Sequence, residues 1–248
     1  FDNYWTAVEN GTPILTTFVT DKKIVDVKGV DRLAGCEKAW SFQFAGTESD
    51  PYIITDASDL YGLASLVNSG SSFDGKYIVL GNDIVVNTSN RDGWKTTEPL
   101  NKWKAIGNDG SYPFKGHFDG KGHTISGIYY SKAYDASKIR GGLFGNAINA
   151  TIENFSLKNS YFTSGTYGND SAQIGSIVSW AQGGTYKDIY SDAIIETNSL
   201  RTGGIISLTT SSSATTISNC WFDGSINSTN THIGGIVGYI NGPTTVEH

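Results

Sequence analysis

The sequence predicts an all-β fold, a right-handed parallel β-helix, and two observations carry that prediction. The first is composition: the 248 residues include 30 glycines, and Ser, Thr, Asn and Asp are abundant among β-branched and aromatic residues. This mixture is typical of short strands separated by frequent turns and disfavours a helix bundle. The second observation is a pair of alternating repeats that fills the C-terminal half of the chain.

The first repeat is a strand-like segment of seven residues. Its copies are TISGIYY at 124–130, TIENFSL at 151–157, TYKDIYS at 185–191 and TISNCWF at 216–222, with a fifth copy starting at 245. Glycine-rich segments alternate with them: GGLFG at 141–145, GSIVS at 175–179, GGIIS at 203–207 and GGIVG at 234–238. Because one repeat has too few strands to bury an apolar face, successive repeats are expected to stack as rungs of a coil.

Alternation along the first repeat predicts which side chains point into the coil. One buried column is expected to contain Ile125, Ile152, Tyr186, Ile217 and Val246. A second is expected to contain Ile128, Phe155, Ile189 and Cys220. Cys220 replaces larger apolar residues at its position, so we expect a buried free thiol there. A disulfide between Cys220 and Cys36 is the alternative.

Two N-terminal segments complete the predicted architecture. Residues 56–67 have apolar side chains at helical spacing, which predicts a short amphipathic helix that caps the N-terminal end of the coil. Residues 1–50 do not follow the repeat. They predict a small β-rich module or a junction, so that the β-helix itself occupies residues 51–248.

Charge and hydropathy restrict the partners. The formal net charge is −6, and no Lys/Arg-rich run is present, so neither nucleic acid nor an anionic membrane surface is expected to bind. No segment reaches the roughly 18 to 20 apolar residues needed to cross a bilayer. The chain has no Met and does not start with a signal peptide, so we expect a processed or excised part of a larger multidomain protein.

The glycine-rich repeats and the Thr-Ile-x-Asn-Cys-like strands that follow them resemble the GLUG repeats of bacterial cell-surface proteins. LYGLA at 60–64 and GKYIVLGNDI at 75–84 are similar to the segment that precedes such repeats, and the resemblance covers about residues 51–248. In that family, GLUG arrays accompany adhesins and the non-catalytic regions of IgA-type peptidases. The resemblance therefore implies an extracellular, cell-surface location, and it supplies no catalytic residues.

A column of outward-facing residues carries the binding prediction. The position after the second buried column is occupied by Tyr129, Ser156, Tyr190 and Trp221. Aromatic rings one rung apart are suited to stacking on sugar rings or to anchoring a protein. We predict a non-catalytic adhesin-like or scaffold segment that binds host glycan or host protein through Tyr129, Tyr190 and Trp221. Burial of these rings under a loop or under the N-terminal module is the alternative.

A carbohydrate-active β-helix enzyme, either a polysaccharide lyase or a glycosidase, is the alternative function. Its candidate catalytic residues are Asp192 and Asp223, because carboxylates on successive rungs are roughly 5 Å apart, as in retaining glycosidases. A calcium ion between them is a further alternative. The competing interpretation is an ion pair between Lys158 and Asp192 and a turn at Asp223, and it favours a non-enzymatic chain. No other cofactor or metal is expected, because the usual motifs are absent.

Two polar columns are expected to be structural. Asn154, Asp188 and Asn219 occupy equivalent positions just before a buried residue, so their side chains are expected to form hydrogen bonds from rung to rung. Glu153 beside Lys187 predicts a cross-rung ion pair that contributes less than about 1 kcal/mol.

Overall fold

The computed structural model describes residues 45–131, 140–164, 172–229 and 231–247, together with the backbone of Trp5–Thr6 and Ile14–Leu15. The chain divides into two compact units, residues 1–30 and residues 31–248. In the first unit, strands β1 (Trp5–Thr6) and β2 (Ile14–Leu15) pair antiparallel. Most of the predicted N-terminal module, including Cys36, lies outside the described residues, so its boundary near residue 50 stays a prediction.

The described part of the second unit contains β-strands and one α-helix. Its first elements are β3 (Tyr52–Ile54), α1 (Ala57–Asn68), β4 (Tyr77–Leu80), β5 (Ile84–Val85), β6 (His117–Asp119), β7 (Thr124–Ser126) and β8 (Tyr129–Ser131). There follow β9 (Arg140–Gly141), β10 (Phe144–Lys158), β11 (Tyr161–Thr163), β12 (Gln173–Gly175), β13 (Val178–Ser191), β14 (Ile194–Thr197) and β15 (Arg201–Gly203). The last are β16 (Ile206–Thr210), β17 (Thr215–Phe222), β18 (Ser225–Ser228), β19 (His232–Gly234), β20 (Val237–Asn241) and β21 (Thr244–Glu247). A 3-10 turn, Arg91–Gly93, lies between β5 and β6.

These strands form three sheets in which the described neighbours are parallel. The main sheet has the order β20-β16-β13-β10-β6-β4-β3, and β17, β21, β5 and β7 pair beside this path. The other two sheets have the orders β18-β14-β11-β8 and β19-β15-β12-β9. Neighbouring strands come from successive repeats of the sequence, as stacking of repeats requires. The prediction of a mostly β, parallel β-helix with one short helix is therefore confirmed.

The predicted buried columns are confirmed over three rungs. Ile152 pairs with Tyr186, Tyr186 with Ile217, and Ile217 with Val246. Val246 keeps the predicted register, but its predicted burial is wrong, because it is 51% exposed. The side chains of Ile152, Tyr186 and Ile217 are fully buried, and each contributes about 1.5–3 kcal/mol through the burial of apolar surface. The second column is confirmed in its last three members, because Phe155 pairs with Ile189 and Ile189 with Cys220.

The prediction that Ile125 belongs to the first column is wrong. Ile152 pairs on its other side with Phe118, whereas Ile125 pairs with Leu157. The reason is that the second copy begins opposite a different strand: residues 117–119 pair with its start, 151–153, whereas residues 124–126 follow a turn and pair with its end, 156–158. The predicted alignment of the first copy was therefore displaced by five residues, so Ile128 is also absent from the second column. It is nevertheless fully buried.

Helix α1 lies where the sequence predicts it, and its N-terminal cap and its apolar face are those that the sequence predicts. The carboxylate of Asp56 caps it and accepts hydrogen bonds from the backbone N–H groups of Ser58, at 2.8 Å, and Asp59, at 3.1 Å, as N-terminal capping requires. Leu60, Leu63 and Val67 are fully buried. The helix follows β3, the last strand in the order of the main sheet, and contacts that strand.

Each long strand bends at one residue of the predicted polar column. Asn154, Asp188 and Asn219 have φ values of 64°, 55° and 49°, in the left-handed region that Asn and Asp tolerate better than most residues. The bend turns the next residues of β10, β13 and β17 toward one face of the coil.

Candidate functional site

Aromatic side chains on the last two of these bent strands occupy one face. Ser156 pairs with Tyr190, and Tyr190 pairs with Trp221, so the two rings lie one strand spacing apart, roughly 4.8 Å. Trp221 is 68% exposed and Tyr190 is half-buried. The predicted outward-facing pair is therefore present.

A shallow groove of about 220 Å³ follows these rings. Its walls are formed by Gly122, Asn154, Phe155, Ser156, Asp188, Ile189, Tyr190, Asn219 and Trp221. We call it the aromatic groove. Aromatic surface thus adjoins amide and carboxylate groups, a combination suited to a ligand that has both an apolar face and hydroxyl groups.

The polar wall of the aromatic groove is held by side-chain hydrogen bonds. The Asn219 amide donates to Asp188 Oδ1 at 3.0 Å, as the predicted rung-to-rung column requires. The Asn154 amide instead donates to Asp119 Oδ1 at 3.2 Å. The column therefore extends to the preceding rung through Asp119, a connection that the wrong alignment of the first copy concealed.

Tyr190 is positioned by charged neighbours. Its hydroxyl donates to Asp223 Oδ2 at 3.3 Å, and Lys158 Nζ lies 5.8 Å from the ring centroid. Burial, together with the negative charges of Asp223 and Asp192, raises the pKa of Tyr190. The phenol consequently remains neutral at physiological pH and can still donate a hydrogen bond.

Both candidate catalytic carboxylates are engaged by protein groups. Asp192 pairs with the Arg91 guanidinium and accepts a hydrogen bond from the Asn159 backbone N–H at 3.0 Å. The predicted pair between Lys158 and Asp192 is thus replaced by one with Arg91. Arg91 belongs to a segment outside the repeats, 101 residues away in sequence, which is why the repeat pattern could not identify it.

Tyr129 does not belong to the aromatic groove, so its predicted outward position beside Tyr190 is wrong. It pairs with Tyr161 in another sheet, and the two rings are stacked at 5.8 Å between centroids. Trp94 covers Tyr129 edge-on at 5.9 Å, and the Tyr129 hydroxyl donates to Glu98 Oε1 at 2.9 Å. Only 2% of Tyr129 is exposed. The physical reason is again the segment between β5 and β6, which packs over this sheet.

Glu153 lies in a cluster of charged side chains. The sequence predicted only one of its pairs, that between Glu153 and Lys187. The expected ion pair is confirmed, with Lys187 Nζ 3.0 Å from Glu153 Oε2. His117 Nε2 lies 2.6 Å from Glu153 Oε1, and His117, Asp119 and Glu153 place potential metal-ligand atoms within 4.8 Å of one another. Lysine ammonium groups already neutralise this cluster, because Lys121 pairs with Asp119 at 2.7 Å. Its geometry is that of an ion-pair network.

Cys220 is a free thiol and half-buried. Its thiol lies 3.4 Å from the Ser218 carbonyl oxygen and 3.6 Å from that of Tyr186, and can donate to them. The residue predicted to be a buried, small apolar side chain is thus a partly covered thiol.

Among the described residues, no helix is long and apolar enough to span a membrane.

No protein-family model and no curated protein matches the chain. Among solved structures, it is similar to a crystal structure of a "putative immunoglobulin A1 protease" from Bacteroides ovatus, with a TM-score of 0.56 and 20% sequence identity. The similarity covers 81% of this chain and 66% of that one, so the chain spans slightly less than two thirds of its neighbour. Identity at this level shows a shared fold alone. It supports the predicted connection to IgA-peptidase-associated proteins at the level of architecture, whereas no family model confirms a GLUG motif.

Proposed function

We propose that this chain is a non-catalytic β-helical module of an extracellular bacterial protein, and that it binds a glycan in the aromatic groove. The observation that carries the proposal is Trp221, which is 68% exposed directly beside Tyr190 and the polar wall of Asp188 and Asn219. Sugar rings present a C–H face that packs on an aromatic ring and hydroxyl groups that bond to amides and carboxylates. The groove offers both kinds of contact within one strand spacing.

An extracellular location is favoured by two independent likenesses. The repeats resemble those of bacterial surface proteins, and the fold neighbour is described as an immunoglobulin A1 protease from a bacterium. Attachment to a cell surface as part of a larger protein follows from the same resemblance. A host protein is the alternative partner, because exposed Trp and Tyr are also the residues that anchor protein interfaces.

A non-catalytic role is favoured by the partners of the two aspartates. Asp192 is bound to Arg91, and Asp223 accepts the hydroxyl of Tyr190. A catalytic carboxylate must be free to contact the substrate, whereas both of these carboxylates are engaged by protein groups. The same guanidinium already supplies a positive charge to Asp192, which disfavours a calcium ion shared by the two aspartates.

The test is binding of the purified chain to a glycan array and to immobilised host proteins. We expect Trp221→Ala to weaken glycan binding at least tenfold, in the range of an aromatic anchor. Tyr112→Ala is the matched control, because Tyr112 is also exposed, at 44%, and does not line the aromatic groove. Glycan binding that is unchanged in Trp221→Ala would contradict the proposal, and binding to proteins alone would favour the alternative partner.

The enzymatic alternative is tested in parallel by a polysaccharide depolymerisation assay. The proposal expects no product above the background of heat-treated protein. Product release that disappears in Asp192→Asn or Asp223→Asn would establish the carbohydrate-active enzyme in place of the binding module.

A further inference from the structure

Arg140 is a buried cation that has no ion-pair partner among the described residues. Only 9% of the residue is exposed, and its side chain forms no hydrogen bond or ion pair with any residue that the structure describes. Asp109 acts on it electrostatically without forming an ion pair, and burial lowers the pKa of Arg140. Burial of a guanidinium costs free energy unless the charge is paired. An anion bound next to Arg140 would therefore stabilise the buried charge.

The guanidinium is held in a fixed plane. Its Cζ atom lies 3.9 Å from the ring centroid of Trp180, a distance at which cation and ring attract each other. Gly110 also lies close to the guanidinium, since an added Cβ there would lie 2.6 Å from Arg140 Nη1. A guanidinium that is fixed in this way loses little conformational entropy when it binds a ligand.

Further polar atoms around Arg140 are also buried without partners. Within the described part of the chain, no hydrogen-bond partner reaches Arg140 Nε, Trp180 Nε1 or Gln173 Oε1. Gln173 is the direct cross-strand neighbour of Arg140 and is 4% exposed. Two of the three unpaired atoms are N–H donors, and native proteins rarely leave such donors unsatisfied.

The same arrangement continues two rungs further along the coil. Gln173 pairs with Arg201 and Arg201 with His232. Arg201 Cζ lies 4.9 Å from the ring centroid of Tyr239, and its buried Nε is likewise unpaired among the described residues. Arg201 and His232 are half-buried, so the column leads from partly exposed side chains to the buried Arg140.

We propose that the Arg140 guanidinium and the indole N–H of Trp180 form, beside Gln173, a binding site for an oxyanion, a carboxylate or a sulfate group. The planar guanidinium fork matches such groups, and charge-assisted hydrogen bonds to them are among the strongest in proteins. The indole N–H of Trp180 adds a neutral donor. This site shares no residue with the aromatic groove, so it does not depend on the function proposed above.

The test is thermal stabilisation of the folded chain by sodium sulfate, sodium glucuronate and glucose, each with sodium chloride to constant ionic strength. A ligand that binds the native state raises Tm with saturation. We expect sulfate, glucuronate or both to do so, and glucose to have no such effect on this site. A response to sulfate alone identifies inorganic anions as the source, whereas a response to glucuronate identifies acidic sugars.

Three variants separate binding from a structural role. Gln173→Glu places a carboxylate next to Arg140, so we expect a higher Tm without ligand and loss of the anion response. Trp180→Phe keeps the ring but removes the N–H, and we expect about tenfold weaker binding. Lys95→Gln, which removes an exposed cation that belongs to neither proposed site, should respond like the unmodified chain. The proposal is overturned if neither anion gives a saturable shift, or if Gln173→Glu responds like the unmodified chain.

Discussion

Tyr190 and Trp221 occupy equivalent positions on neighbouring strands, yet their side chains have different environments. The Tyr190 hydroxyl is tied to Asp223, whereas Trp221 is 68% exposed. A tethered ring is already positioned for a ligand. An exposed ring has more apolar surface that a ligand can remove from water when it covers the ring. At the scale of single residues, Trp221 is therefore expected to dominate affinity, and Tyr190 to orient the ligand.

The reactivity of Cys220 follows from its partial burial. Burial raises the pKa of its thiol to about 11, and only the thiolate reacts readily with alkylating agents. In a Cys36→Ser background, we expect Cys220 to react with iodoacetamide much more slowly than free cysteine at pH 8. The alkylation rate should rise with a midpoint near pH 11. Reaction in denaturant is the control, and a native midpoint near 8.5, the ordinary value for cysteine, would contradict the prediction.

At the scale of the secondary-structure elements, each long strand bends at one residue with a left-handed backbone conformation. At Asn219, with φ at 49°, Asn219→Gly and Asn219→Ala both remove the amide that bonds to Asp188. Only alanine has a Cβ that disfavours the left-handed conformation, by about 1–2 kcal/mol. Urea unfolding should therefore show Asn219→Ala to be less stable than Asn219→Gly by about that amount. Equal stabilities would mean that the hydrogen bond alone matters at this bend.

Two glycines with the same backbone conformation distinguish strain from crowding. Gly122 and Gly127 both have φ of 80°. A Cβ on Gly122 would meet nothing within 4 Å, whereas a Cβ on Gly127 would lie 2.2 Å from the Asn87 carbonyl oxygen. We expect Gly122→Ala to lower the free energy of unfolding by about 1–2 kcal/mol.

Gly127→Ala should cost about 1–3 kcal/mol more than Gly122→Ala, because the backbone of Asn87 must also move. Chemical denaturation of both variants measures this difference. Similar losses for the two would indicate that Asn87 shifts at little cost.

At the scale of the whole molecule, stability is distributed along the stack of rungs. Ile152 is fully buried in the middle of its column, whereas Val246, in the last described strand of the same column, is 51% exposed. We expect Ile152→Ala to lower the free energy of unfolding by about 2–5 kcal/mol. Val246→Ala should lower it by less than about 1 kcal/mol, because much of that side chain is already in water. Comparable losses would contradict a column that is packed in this order.

The limits of prediction from sequence also follow from the architecture. Tyr186, Ile217 and Val246 could be aligned because their repeats share one pattern of alternation across the bend. Ile125 could not, since its segment looks like the start of the other copies although it pairs with the end of the second copy, after the turn that follows Asp119. The burial of Tyr129 by Trp94 and the pairing of Arg91 with Asp192 arise from a segment without repeats. Contacts across such distances in sequence leave no periodic signal.

The four-residue connection between β16 and β17 has a consequence for engineering. Eleven residue steps separate Ile206 from Ile217, whereas eight separate their partners Val178 and Tyr186 on the preceding rung. The coil thus accommodates three extra residues at this corner while both flanking strands keep their pairing. A short peptide, such as an epitope or a labelling tag, grafted into Ser211–Ser213 should therefore be displayed on the flank of the molecule without shifting Trp221 relative to Tyr190.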